Sequence, residues 1–126
     1  EARIGGVAPA VISLTLLPKM TARAAARYYL TGETFTAPTA AEIGVITLAA
    51  DDVDEAIAGI VTDLGGRGSP QGGLAASKAL TTADVLARFD RDAEDLATES
   101  ARLFVSEEAH EGMLAFLQKR PPRWVR

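Results

Sequence analysis

Few side chains in this sequence belong to types that carry out chemistry. Glu1 is a carboxylate, a group that can accept or donate a proton, although composition alone predicts an exposed carboxylate there. His110 is the single histidine, and one imidazole cannot assemble a zinc site or, without other support, a Ser–His–Asp triad. The sequence has no cysteine to supply a thiolate nucleophile, a disulfide or a metal ligand. We therefore expect no metal site.

Phe116 and Lys119 form the second group of interest, since residues three apart share one face of a helix. The spacing alone favours structural roles for both. An aromatic residue at helical spacing is usually buried, and a cation near a helix C-terminus interacts favourably with the helix dipole. Burial of Phe116 and solvation of Lys119 are the expectations that these two positions raise by themselves.

The elements that position such residues are organised around residues 28–48. The pattern predicts a helix ending at Gly32, a short strand, a short helix with Pro38 in its first turn, and a stop at Gly44. Val45–Leu48 is apolar and β-rich, so a strand is predicted there. Upstream, the apolar stretch from Ile4 to Leu17 should be buried on most sides. Its short helix from about Ala10 should end at Pro18.

Helices dominate the rest of the chain. Thr21 is expected to cap the helix that ends at Gly32, and Asp51 or Asp52 the helix that carries the stripe Val53, Ala56, Ile57, Ile60, Val61 and Leu64. The break at Gly65–Gly68 looks like a phosphate loop but follows a helix, so a helix stop is favoured.

Three further helices are predicted after that break. Ser69-Pro70 should start the first, and Thr82 or Asp84 the longest, whose stripe is Leu86, Phe89, Ala93, Leu96, Ser100, Leu103 and Phe104. Ser106 should cap the last, which should bury Ala109, Met113, Phe116 and Leu117 and stop before Pro121-Pro122. Because the apolar stripes exceed what one small body covers, the pattern indicates a partner subunit.

Several blocks resemble the crotonase superfamily, the enoyl-CoA hydratase/isomerase enzymes, in collinear order. They are Glu1-Ala2-Arg3-Ile4-Gly5 with Pro9, Leu30-Thr31-Gly32, Ala40-Ala41-Glu42-Ile43-Gly44-Val45-Ile46, Ala75-Ala76-Ser77-Lys78, and the run from Glu107 to Arg120 that contains Glu111-Gly112 and Ala115-Phe116. The resemblance covers essentially this whole chain but only the C-terminal half of such an enzyme. Gly6 and one of Gly72 or Gly73 look like single extra residues within these blocks.

The resemblance implies an α/β fold class: the C-terminal part of the crotonase ββα-spiral core in residues 1–66, followed by an all-helical oligomerisation region in residues 67–126. It implies reversible addition of water to 2-enoyl-CoA thioesters in fatty-acid metabolism, with Glu1 as one of two catalytic glutamates. Phe116 and Lys119 would bind the coenzyme A (CoA) part of the substrate. No cofactor is implied. The second glutamate and the oxyanion donors lie upstream in the family, so the 126-residue chain alone is expected to be inactive.

The same resemblance implies a trimer or a dimer of trimers, completed by an N-terminal half of the same enzyme. Two alternatives stay open. One is an isomerase or other thioester-enolate reaction of the superfamily, and the other is a noncatalytic CoA-binding or assembly module.

Bulk composition excludes other classes of function. A net charge of −4 argues against nucleic acid as a partner, since a phosphate-binding face needs an excess of Lys and Arg. The apolar stretch Val7–Leu17 is too short to span a bilayer and lacks the features of a signal peptide. We expect no membrane partner and a cytoplasmic protein, with a local basic group at the C-terminus made by Lys119, Arg120, Arg123 and Arg126.

Overall fold

The computed structural model describes residues 4–66 and 71–125, and for Gly66 and Gln71 it describes the backbone only. Six α-helices and one 3₁₀ helix follow one another within these ranges. They are α1 (Ser13–Leu16), the 3₁₀ helix Leu17–Lys19, α2 (Ala22–Thr31), α3 (Ala37–Glu42), α4 (Val53–Gly66), α5 (Gln71–Phe104) and α6 (Glu107–Leu117). α1 and α6 each pack against α5. The described residues are therefore mostly helical, as expected for the helical C-terminal region that the resemblance implies.

The strands predicted near Glu33–Phe35 and at Val45–Leu48 do not form, and residues 4–66 and 71–125 contain no strand. A strand needs a neighbouring strand to pair its backbone groups. Val45 and Ile46 instead donate their N–H groups back to the carbonyl of Ala40 at the end of α3. Val45–Leu48 is apolar, but no strand among the described residues pairs with it.

The predicted helix ends are mostly confirmed. The Thr21 side chain accepts a hydrogen bond from Ala24 N–H, and Ser106 accepts one from Ala109 N–H. Asp52, rather than Asp51, caps α4 by accepting from Glu55 N–H at 3.0 Å. Gly32 ends α2 with a φ of 63°, the left-handed conformation that glycine adopts without a steric penalty. Caps are local interactions, which is why the sequence predicts them well.

The break predicted at Thr82 or Asp84 is wrong, because α5 runs without interruption for 34 residues. Thr81 Oγ1 donates to the carbonyl of Lys78, and Thr82 Oγ1 reaches the carbonyls of Lys78 and Ala79. The threonine hydroxyls are thus satisfied inside the helix and do not act as caps. The start predicted at Ser69-Pro70 lies outside the described residues.

Apolar burial is lower than the sequence predicts. The buried apolar residues of the described chain are Leu14, Ala40, Ala109 and Ala115. In the stretch from Ile4 to Leu17, expected to be buried on most sides, Val11, Ile12 and Leu17 are exposed. α1 ends at Leu16, before Pro18 as predicted, and Pro18 occupies an early position in the 3₁₀ helix that follows. α4 leaves most of its apolar stripe in solvent: Ala56 is partly buried, and the exposed residues are Val53, Ile57, Ile60, Val61 and Leu64.

The last helix, α6, buries Ala109 as predicted but leaves Phe116 and Leu117 exposed. Its buried residues are Ala109, Glu111, Gly112 and Ala115, whereas Phe116 is 67% exposed and Leu117 75% exposed. Burial of Phe116 is therefore contradicted in this chain. The face made of small residues is the buried one because backbone, rather than side chains, packs against it, as the next section describes.

Candidate functional site

The segment that follows Glu1 in the sequence is fixed by its backbone conformation. Glu1 itself lies outside the described residues. Gly5 and Gly6 have φ angles of 72° and 73°, in the left-handed region that favours glycine. Two consecutive residues of this kind turn the chain sharply, so Ile4–Gly6 lies across the N-terminal half of α6.

The small residues of α6 allow this close approach. A Cβ atom added at Gly112 would meet the carbonyl oxygen of Ile4 and lie 2.8 Å from that of Gly5. A Cβ added at Gly6 would meet the backbone nitrogen of Ala109, whose residue is fully buried. The Ile4–Gly6 backbone and the α6 backbone are therefore in direct contact. The glycines of both segments are required for this contact.

The C-terminal tail, residues 118–125, lies against the other side of Ile4–Gly6. A Cβ added at Gly5 would lie 2.7 Å from the indole ring of Trp124. Gly5, Gly6, Glu108 and Trp124 line a small cavity of about 260 Å³. Trp124 therefore contacts the chain four residues after Glu1, although the two positions are far apart in sequence.

The Glu111 side chain, on α6, holds the tail by hydrogen bonds. Its carboxylate accepts hydrogen bonds from Arg120 Nη1 at 2.7 Å, from Arg120 Nη2 at 3.2 Å and from the backbone N–H of Arg123 at 3.0 Å. The Arg123 Nε atom lies 3.4 Å away. The Glu111 side chain is only 11% exposed, so these donors replace the water that it would otherwise bind.

These contacts lower the pKa of Glu111 from its ordinary value of 4.5 to about 2. The hydrogen bond from Arg120 is the largest cause. Burial acts in the opposite direction, and the hydrogen bond from Arg123 N–H and the positive charges of the two arginines lower the pKa further. Glu111 is therefore ionised near neutral pH and accepts hydrogen bonds from the tail. It is not a proton carrier there.

Phe116 and Lys119 lie at the exposed end of α6. The helix ends in a Schellman motif: Lys119 N–H donates to the carbonyl of Phe116 at 3.1 Å, and Arg120 N–H to that of Ala115 at 3.0 Å. In that motif a left-handed residue, usually glycine, follows the helix. Here Lys119 takes the position with a φ of 53°, and it is the single non-glycine residue with positive φ within residues 4–66 and 71–125.

The residues of the basic group predicted at the C-terminus differ in their contacts. The Arg120 guanidinium donates to Glu111 and the Arg123 Nε lies 3.4 Å from the same carboxylate, whereas the Lys119 side chain is exposed. Arg126 lies outside the described residues. The exposed ring of Phe116 and the exposed side chain of Lys119 both lie at the C-terminal end of α6.

A second, apolar cavity of about 350 Å³ lies between the N-terminal loop, α2 and the segment after it. Its lining residues are Pro9, Ile12, Leu16, Met20, Tyr28, Tyr29, Gly32, Glu33, Phe35 and Val45. The carboxylate there, Glu33, is bound by Arg27 through two hydrogen bonds of 2.8 Å. The rings of Tyr28 and Phe35 meet edge to face at 4.6 Å. This cavity suits an apolar group and offers no evident acid or base.

Two further findings concern metal ligands and membrane-spanning helices among the described residues. Within residues 4–66 and 71–125, no three His, Cys, Asp or Glu residues cluster in a way that would hold a metal ion. In the same ranges, no helix combines the length and apolar character that crossing a bilayer requires.

Comparison with known proteins gives two close matches among solved structures. A candidate enoyl-CoA hydratase from Mycobacterium avium paratuberculosis K-10 is 75% identical over 100% of this chain, with a TM-score of 0.92. An enoyl-CoA hydratase from Mycobacterium avium is 76% identical over 99% of this chain, with a TM-score of 0.90. In both cases this chain spans 49% of the longer protein. No protein-family profile matches the chain, and no curated protein matches it.

Identity at this level, along the whole chain and with the same fold, shows what the chain resembles. It is similar over its whole length to about half of two proteins described as enoyl-CoA hydratases, the enzymes of the crotonase superfamily that the sequence blocks resemble. The resemblance carried by the sequence blocks is therefore confirmed. Sequence reasoning missed the role of Glu111 as the acceptor of the tail's hydrogen bonds, although a carboxylate beside a glycine on the small-residue face was a visible signal.

Proposed function

We propose that this chain is the C-terminal portion of an enoyl-CoA hydratase that adds water reversibly to 2-enoyl-CoA thioesters. The observation that carries the proposal is the 75% identity over the whole chain to a protein described as a candidate enoyl-CoA hydratase. The reaction needs a missing N-terminal half of the same enzyme, which in this family supplies the oxyanion donors and a second glutamate. It needs no cofactor, because the CoA thioester is the substrate. A role in β-oxidation and a cytoplasmic location are part of the proposal.

Glu1 is proposed as one of the two acid/base carboxylates. A glutamate can activate water for attack on the β-carbon or deliver a proton to the α-carbon of the substrate. Support comes from the turn at Gly5 and Gly6, which follows Glu1 in the sequence and packs between α6 and Trp124, since a catalytic group must be held in one geometry to be effective. Backbone donors for the thioester oxygen would stabilise the enolate-like charge that develops during the reaction.

Phe116 and Lys119 are proposed to bind the CoA part of the substrate. In this proposal the exposed ring of Phe116 stacks on the adenine, and the ammonium group of Lys119 meets a phosphate. The left-handed backbone at Lys119 supports a functional role, because strained conformations of non-glycine residues concentrate at functional sites. The site is proposed to serve a neighbouring subunit of a trimer or a dimer of trimers.

The division at residues 1–66 and 67–126 is kept in this proposal, with the first region completing the spiral core. The second region would mediate oligomerisation. The exposed apolar residues of α5 support it, because a protein in water rarely leaves apolar faces of this extent uncovered.

The test uses a complete protein in which this chain follows an N-terminal half. Purified enzyme should hydrate crotonyl-CoA, measured by loss of the enoyl-thioester absorbance. Glu1→Gln keeps the shape but removes the basicity, so turnover should fall by roughly 10²-fold or more. Glu94→Gln, an exposed glutamate on α5, is the matched control and should leave turnover unchanged. The 126-residue chain alone should show no turnover.

The alternatives predict different results in the same assay. An isomerase would convert a 3-enoyl-CoA to the 2-enoyl isomer and would hydrate crotonyl-CoA poorly. A noncatalytic module would bind CoA, with binding lost in Lys119→Ala, but would turn over neither substrate. Full activity in Glu1→Gln would remove Glu1 from the mechanism and favour one of these two.

A further inference from the structure

The Glu111 carboxylate connects two parts of the molecule that are separate in sequence. One is the tail that carries Arg120, Arg123 and Trp124, and the other is the turn at Gly5 and Gly6. We propose that Glu111 is a positioning residue for the hydration reaction: it holds Trp124 against Gly5 and so fixes the turn at Gly5 and Gly6 that follows Glu1 in the sequence. This inference rests on the proposed function for its catalytic consequence.

The first step of the argument is the connection between Glu111 and the tail. Its carboxylate accepts two hydrogen bonds from Arg120 and one from the backbone N–H of Arg123. A backbone donor fixes the path of the chain more directly than a flexible side chain does. Trp124 is the next residue, so its position depends on that hydrogen bond.

The second step is the contact between the tail and the turn. The indole ring of Trp124 is close enough to Gly5 that an added Cβ would lie 2.7 Å from it. On its other side the turn meets the backbone of α6 at Ala109 and Gly112. The turn is therefore enclosed between helix and tail, and Glu111 lies beside Gly112 on that helix.

The third step explains why a carboxylate is required. Glu111 is buried and has no proton to transfer near neutral pH. An apolar residue there would leave the Arg123 N–H without its acceptor and the Arg120 guanidinium with only Gln118 and the Pro121 carbonyl, which is costly for groups partly removed from water. A carboxylate at residue 111 is therefore needed to hold the tail in place. The tail, through Trp124, contacts the turn at Gly5 and Gly6.

The experiment compares Glu111→Gln and Trp124→Ala in the complete enzyme, with Trp124→Phe as the conservative variant and Glu94→Gln as the control. Trp124→Ala leaves the ion pair intact, so it tests the connection even if Glu111→Gln folds poorly. Hydrogen exchange of the Ile4–Val7 amides reports on the turn whether or not the enzyme is active. Steady-state kinetics with crotonyl-CoA report on catalysis.

We expect both variants to speed exchange in Ile4–Val7 and to lower kcat by about 10- to 100-fold, the loss that a misplaced catalytic group causes. KM in Trp124→Ala should stay roughly unchanged, because misplacing an acid/base group weakens the transition state and not the binding of the substrate. Trp124→Phe should restore most of kcat. Unchanged exchange in both variants would overturn the inference, and so would normal kcat in Trp124→Ala. If the wild-type enzyme hydrates nothing, the proposed function fails while the exchange result still decides whether the turn is held by Glu111.

Discussion

At the scale of single residues, the hydrogen bonds to Glu111 make stability depend on pH in a predictable direction. The pKa is lowered in the folded state, so the contribution is fully present above about 4.5 and is lost as pH falls toward about 2. We expect wild type to be more stable than Glu111→Gln at neutral pH, with the difference shrinking over that acidic range. Thermal unfolding of the complete protein at stepwise lower pH measures this, and a constant difference would contradict it. Glu94→Gln, which leaves the network intact, should follow wild type throughout.

Lys119 offers a second test at this scale. A left-handed backbone costs most L-residues roughly 1–2 kcal/mol, and glycine avoids that cost. Lys119→Gly should therefore be more stable to denaturant than Lys119→Ala by about 1 kcal/mol. Both substitutions remove the ammonium group, so both should weaken CoA binding equally in calorimetry. Equal stability of the two variants would show that residue 119 is not left-handed in solution.

The site residues show what sequence reasoning can reach. The family blocks indicated Phe116 and Lys119, but helical spacing alone predicted a buried ring at Phe116, which the structure contradicts. The spacing shows which residues share a face and not which face is packed. That choice depends on the Ile4–Gly6 backbone, which contacts the small residues of α6 from more than 100 positions away in the chain.

At the scale of elements, the contact between the turn and α6 should be sensitive to a single methyl group. Gly112→Ala places a Cβ against the carbonyl oxygen of Ile4, so we expect a loss of about 1–3 kcal/mol, typical of overpacking. Gly73→Ala is the control, since a Cβ there meets nothing within 4 Å and alanine favours the α5 helix by roughly 0.5–1 kcal/mol. Denaturant unfolding measures both. A neutral Gly112→Ala would mean that the turn does not lie on α6 in solution.

The same scale explains the remaining errors of the sequence analysis. The caps at Thr21, Asp52 and Ser106 were predictable because each involves residues three positions apart. The break near Thr82 was not, because a threonine hydroxyl can either cap a helix or bond back within one. The strand at Val45–Leu48 required knowledge of a pairing partner, which an apolar pattern does not contain.

At the scale of the whole molecule, exposed apolar residues on α5 support association. Leu86 is 61% exposed, whereas Leu103 is half-buried. If this face joins subunits, Leu86→Asp in the complete protein should dissociate a trimer or hexamer without unfolding it, whereas Leu103→Asp should also reduce stability. Light scattering with circular dichroism separates the two effects. A wild-type monomer would exclude the oligomer, and a trimer that tolerates Leu86→Asp would place the interface elsewhere.

The few buried apolar residues of the described chain have a thermodynamic consequence for the chain alone. No large side chain among residues 4–66 and 71–125 is fully buried, and three of the four buried apolar residues are alanines. The heat capacity increase on unfolding arises mainly from newly exposed apolar surface, so it should be small for this chain and much larger for the complete protein. Calorimetry of the 126-residue chain should show a broad transition of low cooperativity. In that case the half-length chain acquires a defined melting temperature only through the surfaces it shares with the rest of its enzyme.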